Sequence, residues 1–161
     1  MKVGIKGRFY IEHFDVNGKL KGKYEVPNGI VDVGMNHILD TQFHNTAAAS
    51  TWYIGLVDNA AFSAFANADT MAAHAGWAES VAYTEANRIE WAEDAAAARA
   101  ITNSVTSDFS INATVTLKGI FITSDNTKSG TAGVLWSTAA FASNVSAVNG
   151  DTLKITYTVS G

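Results

Sequence analysis

No cysteine occurs among the 161 residues of the chain. Disulfides, thiolate metal sites and thiol redox chemistry are excluded, and stability has to come from packing. Folding in a reducing cytoplasm is the matching expectation. Charge is scarce as well: 16% of residues are Asp, Glu, Lys or Arg, against roughly 25% in an ordinary soluble domain. Disorder does not explain the shortfall, because disordered chains are charged and poor in aromatics. Here four Trp, five Tyr and eight Phe are available as core anchors. No apolar run is long enough to cross a membrane, since Ser, Thr, Asn and Gly break every uncharged stretch. Lys2, Lys6 and Arg8 interrupt the start of the chain, so a cleaved leader is not expected. Also missing are a Gly-x-Ser-x-Gly elbow, a phosphate-cradling glycine loop before a helix and an Asp-x-Asp-x-Asp-Gly calcium loop.

What is present reads as one domain, 1–161, of the size that buries a real core. Its polar surface is built from Thr, Ser, Asn, Asp and Ala, a composition suited to extensive contact with neighbours. Partial alternation over 3–14, an Asn17-Gly18 turn and a second alternating run over 20–26 predict a β-hairpin. A helix is expected over 32–44, with Asp32 as N-cap and an apolar stripe of Met35, Ile38, Leu39 and Phe43. Residues 51–57 (TWYIGLV) form a strongly apolar run, read as a buried strand. A long Ala/Asn connection follows over 58–76, with one helical turn expected around 69–73. Further strands are predicted at 79–83, 88–91, 100–105, 107–113, 115–123, 134–141 and 152–159. The last alternates strictly, as a half-buried strand should. Many short strands with one helix near the front predict an all-β fold, a β-sandwich of jelly-roll or Greek-key type.

Charge is distributed unevenly. Lys2, Lys6, Arg8, Lys19, Lys21 and Lys23 lie in the first 23 residues, opposed there only by Glu12 and Asp15. That segment carries about +4 and the remainder about −8. A basic hairpin on an acidic body is a docking polarity, and lysines also protect an exposed edge strand from aggregation. The hairpin, residues 1–26, is accordingly the candidate docking arm. Low charge and the apolar residues Phe62, Phe65 and Trp77 of the long connection make these three the candidate oligomer contact, for a homodimer or homotrimer.

His37, Asp40 and His44 share one helix face at i, i+3 and i+7, the right ligand types for a transition ion, but no second ligand cluster supports them. His74, Glu79 and Ser80 lack the turn that presents a nucleophile. Glu79, Glu85, Glu90, Glu93 and Asp94 supply carboxylates without the defined spacing that glycosidases need. Asp58-Asn59 and Asp125-Asn126 lie in turns without calcium spacing. Trp52, Trp91 and Trp136 sit in strand-like segments and are read as core, while Trp77, beside Gly76, is the one expected at the surface. No catalytic, cofactor-binding or metal-binding residue is assigned, and no nucleic-acid or membrane partner is expected.

The series Tyr24-Glu25-Val26-Pro27-Asn28-Gly29-Ile30-Val31-Asp32-Val33-Gly34-Met35-Asn36, Trp52-Tyr53-Ile54-Gly55-Leu56-Val57-Asp58, Asp69-Thr70-Met71 and His74-Ala75-Gly76-Trp77 resembles small virion proteins of tailed bacteriophages. Lys118-Gly119-Ile120-Phe121-Ile122 and Gly150-Asp151-Thr152-Leu153-Lys154-Ile155-Thr156-Tyr157 continue it, so the resemblance spans nearly the whole chain. It implies a structural role in particle assembly and no active site. The expectation is a capsid decoration (cement) protein on the exterior of the virion, bound to the major capsid protein after assembly in the host cytoplasm. A tail or fibre component with a receptor- or carbohydrate-binding role is the alternative.

Overall fold

Asp15 organises the first turn. Its carboxylate accepts the backbone N–H groups of Asn17 and Lys19, each at 2.9 Å, and Gly18 takes φ +76°, which side chains with a Cβ rarely adopt. The flanking segments, β1 (Lys6–Phe14) and β2 (Leu20–Pro27), pair antiparallel as a result. These elements are seen in a computed structural model of the chain, which describes residues 4–161.

Two antiparallel sheets face each other. The first has the order β2-β1-β11, where β11 (Thr152–Ser160) pairs along its far edge with β7 (Ala100–Thr102) and β8 (Ser107–Ser110). The second has the order β3-β10-β9-β4, from β3 (Gly29–Ile30), β10 (Leu135–Ala147), β9 (Val115–Thr123) and β4 (Tyr53–Asp58). Its far edge is divided between β5 (Glu79–Ser80) and β6 (Ile89–Glu90). The chain passes between sheets after β2, β6, β8 and β10, so strands distant in sequence pair, β1 with β11 and β4 with β9. The fold is an all-β sandwich with an N-terminal hairpin and one short helix, α1 (Asp32–Phe43).

Between the sheets lies the main core. Phe9 and Ile11 of β1, Ile54 and Leu56 of β4, Ile120 and Ile122 of β9 and Ile155 and Tyr157 of β11 are all essentially inaccessible. Each such side chain contributes about 1.5–3 kcal/mol by leaving water. Tyr157 is also a polar hub. Its carbonyl accepts the Trp91 indole N–H at 3.0 Å, and its hydroxyl accepts Trp136 Nε1 at 2.8 Å and Asn28 Nδ2 at 2.6 Å. Burial pushes its phenol up to about 12, although its hydrogen bonds pull the other way.

A second core lies on the outer face of the β3-β10-β9-β4 sheet. Val57, Phe121 and Leu135 point outward there and are covered by Val31, Met71 and Trp77, with Phe62 and Phe65 packed on them. The close fit depends on absent side chains. A Cβ on Gly55 would lie 2.2 Å from the Phe121 ring, and one on Gly34 would lie 2.5 Å from the Trp136 carbonyl oxygen. Gly34 is how α1 seats against β10. This extra layer buries β9 on both faces from Ile120 to Thr123.

Several expectations are corrected. The N-cap of α1 is Val31, without a side-chain cap bond, and Asp32 falls in the first turn instead. The expected apolar stripe packs in part: Ile38 lies against the main core and Met35 is half-buried, whereas Leu39 is 48% and Phe43 85% exposed, because the helix leans on the sheet through Gly34. Residues 69–73 form no helical turn; Thr70 and Ala73 bond each other's backbones in a tight turn. β10 runs on to Ala147, through a register irregularity between Ala140 and Val145.

Candidate functional site

The basic hairpin is far less basic as folded than as written. Antiparallel register sets Arg8 near Glu25 and Glu12 opposite Lys23 on the outward face. Arg8 pairs with Glu25, which raises the guanidinium pKa through the hydrogen bond between them. Lys23 pairs with Glu12 at 3.0 Å. Lys21 reaches back to Asp151, a side chain 1% exposed, at 2.7 Å. Lys6 and Lys19 enter no ion pair among the described residues, and Lys2 lies outside the described residues. A charge count over 23 residues could not see Glu25 or Asp151, which come from just beyond the window and from the β10–β11 turn. What remains of the basic polarity among the described residues is Lys6 at one end of the hairpin and Lys19 at its tip, where Asp15 lies nearby with the exposed Val16, Leu20 and Val148.

Trp77 is buried, a correction to its expected place at the surface. Its indole N–H donates to Asp69 at 3.0 Å, its ring stacks on His74 at 3.9 Å, and Phe65 and Phe121 meet it at 5.7 and 5.0 Å. Phe62 and Phe65 are half-buried over the same sheet. The long connection thus closes an intramolecular core, and Trp77 is not available to a second copy.

The ionisable clusters resolve into structural ties. His37 Nε2 accepts the Ala49 N–H at 3.2 Å and its ring meets Trp52 edge-on, which holds the segment after the helix. His37, Asp40 and His44 form no metal-holding group, and no such group is found among the described residues. His74 Nδ1 donates to the Trp77 carbonyl at 3.0 Å rather than addressing Ser80, which is buried. Asp58 and Asp125 accept backbone N–H groups two residues on, as turn-forming carboxylates do. Glu85 accepts the Ser110 N–H, and Glu90, Glu93 and Asp94 are exposed.

Two ties escaped the sequence reading. Arg88, with a fully buried side chain, donates to Glu79 through Nε at 3.0 Å and Nη2 at 2.8 Å. The same guanidinium donates to the carbonyls of Asp125 and Gly130, each at 2.9 Å, and lies over the Phe121 ring. It binds β5, the β5–β6 connection and the β9–β10 loop into one unit. At the other end, His13 Nε2 lies 2.6 Å from Asp151 Oδ2, which also accepts Lys21 and the Val148 N–H. Burial opposes ionisation of Asp151, but these hydrogen bonds outweigh it and hold the carboxyl below its ordinary value of 3.8. His13 was legible in principle, since it shares the inward register of Phe9 and Ile11 on β1.

One cleft gathers aromatic side chains. Trp52, Trp91 and Trp136 line it together with Ile38, Ala49, Ser50, Glu93, Ile101 and Val159. Trp91 and Trp136 are core residues as expected, and Trp52, half-buried, lies 6.3 Å from Trp136 between ring centroids. Both sheets and the segment after α1 contribute walls. Compared with known proteins, the chain matches no family model and no curated protein sequence, so the likeness to phage virion proteins rests on the residues quoted for it.

Proposed function

We propose that the chain is a non-enzymatic structural protein of a tailed-phage particle, a decoration protein bound to the outside of the major capsid protein shell. One observation carries the reading. The buried ionisable side chains, Arg88 with Glu79 and His13 with Asp151, are consumed in ties between loops and strands. A catalytic cleft needs such groups convergent and reachable by substrate. What is offered outward is surface: a flat face of β1, β2 and β11 carrying paired charges and threonines, and an apolar tip bearing Lys19. Many weak contacts repeated over a shell suit such a surface.

The docking element in this reading is the hairpin tip, with Lys19 addressing an acidic shell surface and Val16 and Leu20 supplying apolar contact. Charge reversal at Lys21 would be a poor probe, because it would set a carboxylate beside buried Asp151. Undecorated particles incubated with wild type, Lys19→Glu and Val16→Asp proteins test the assignment. Saturable wild-type binding, weakened in both variants and by salt, is expected. Equal occupancy by all three removes the tip, and failure of the wild type to bind removes the decoration role. The reading includes a homodimer or homotrimer. With Trp77 interior, its apolar contact falls to Leu39 and Phe43 of α1, and sedimentation of only monomer at high concentration would end that part.

A further inference from the structure

The tryptophan cleft has a chemistry that neither docking nor folding uses. Its volume is about 240 Å³, below the roughly 300–1,000 Å³ of pockets for drug-sized ligands. The space suits a side chain or a small head group. The indole N–H groups of Trp91 and Trp136 are turned inward onto Tyr157. Those rings therefore offer the cleft carbon surface and π-electrons but no donor. Ile38, Ile101 and Val159 make the neighbouring walls aliphatic. The charged group lining the cleft is Glu93, which is exposed and enters no ion pair among the described residues. Asp94, also exposed, follows it in the chain but does not line the cleft.

Ring faces attract cations, aliphatic walls accept a methylene stem, and an unpaired carboxylate completes the site. A sugar is served less well. Its hydroxyls need donors and acceptors together, and unpaired ones are costly to desolvate. Beyond Glu93, the cleft's polar side-chain groups are the Ser50 hydroxyl and the Trp52 indole N–H, too few to satisfy a ring of hydroxyls. We infer that this cleft binds a lysine-type alkylammonium, the stem against Trp52 and the aliphatic wall, the ammonium between indole faces and Glu93. Its source is a lysine side chain of the partner protein. That source rests on the reading of the chain as a protein-binding module, whereas the chemistry of the cleft does not.

Titration with n-butylammonium, followed by tryptophan fluorescence and indole N–H chemical shifts, tests the cleft, with neutral 1-butanol and methyl glucoside as comparisons. Saturable binding of butylammonium, tighter than of either neutral compound, is expected. Glu93→Gln should weaken butylammonium about fivefold, as removal of one partly exposed charge partner does, and leave 1-butanol unchanged. Trp52→Ala should weaken it by about fivefold or more; because Trp52 packs against the main core, Trp52→Phe, which keeps most of that packing and part of the ring face, is the paired variant and should weaken it less. No saturation, equal binding of 1-butanol, tighter binding of the glucoside or indifference to Glu93→Gln each overturns the inference. Particle binding separates the two readings. If Glu93→Gln binds butylammonium weakly but decorates particles like wild type, the partner lysine is wrong and the decoration role stands. If the wild type binds butylammonium and no particle, the decoration role and the partner lysine fall while the alkylammonium chemistry of the cleft stands.

Discussion

Replacing Arg88 by methionine removes the guanidinium, which also lies over the Phe121 ring, and keeps an unbranched apolar stem that can fill much of its space. The side chain is fully buried, and its partner Glu79 is 6% exposed. Arg88→Met therefore strands a carboxylate whose remaining donor among the described residues is the Ser129 N–H, at 2.8 Å, and leaves the Asp125 and Gly130 carbonyls without this donor. Removing one member of a buried pair costs about 3–5 kcal/mol, mostly from the charge left behind. The two carbonyls lie in the partly exposed β9–β10 loop, where water can replace the arginine, so the lower half of that range is expected, about 3–4 kcal/mol. Glu79→Gln should cost about 2–3 kcal/mol, because the guanidinium retains its carbonyl partners but loses its countercharge. The double variant Arg88→Met/Glu79→Leu leaves no buried charge and should be less destabilised than the sum of single changes by about 2 kcal/mol or more. Urea unfolding with a common m-value reads these differences. Single changes costing under about 1 kcal/mol and simply adding would mean that the pair behaves as a surface salt bridge, and the clamp would be refuted.

Three further outcomes are expected. Asp151 has its pKa depressed in the fold, so the unfolded chain binds more protons in acid. Its stabilising contribution is present above about pH 4 and lost as pH falls through the lower folded value. Asp151→Asn should cost about 3 kcal/mol near neutrality and flatten the acid limb of a stability–pH curve, and parallel limbs would contradict this. Gly34→Ala gains about 1 kcal/mol of helix propensity, yet its Cβ would meet the Trp136 carbonyl at 2.5 Å. A net loss of about 1–2 kcal/mol by urea unfolding is expected, and a gain would show that α1 is not seated there. Ala98 and Arg99 occupy a two-residue turn with φ of 51° and 66°, between mutually bonded Ala97 and Ala100. Substituting Asn and Gly, the residues such turns favour, should raise stability by about 1 kcal/mol, and an unchanged melting temperature would argue against that turn.

The sequence by itself determined the fold class and most of the strand framework. Helix α1 and strand β9 lie where their patterns place them, because a 12-residue helix and a nine-residue strand impose a period on their side chains. Solvent exposure was legible too. Strict alternation in β11 matches a sheet face open to water, and the unbroken apolar runs of β4 and β9 match a sheet covered on both sides.

What covers that sheet was decided only by the tertiary structure. The stripe of Leu39 and Phe43 satisfies every helical rule and still faces solvent, because Gly34, not a large side chain, makes the close approach to β10. Trp77 satisfies the pattern of a loop residue and is interior, because the 58–76 connection folds back over Phe121. The same holds for charge. Lys21 and Asp151 are 130 positions apart and in contact at 2.7 Å, as Arg88 is drawn to Glu79 of β5 and to Asp125 and Gly130 of the β9–β10 loop. Periodicity is a local property and survives in the sequence, whereas pairing between distant segments exists only once the chain has brought them together.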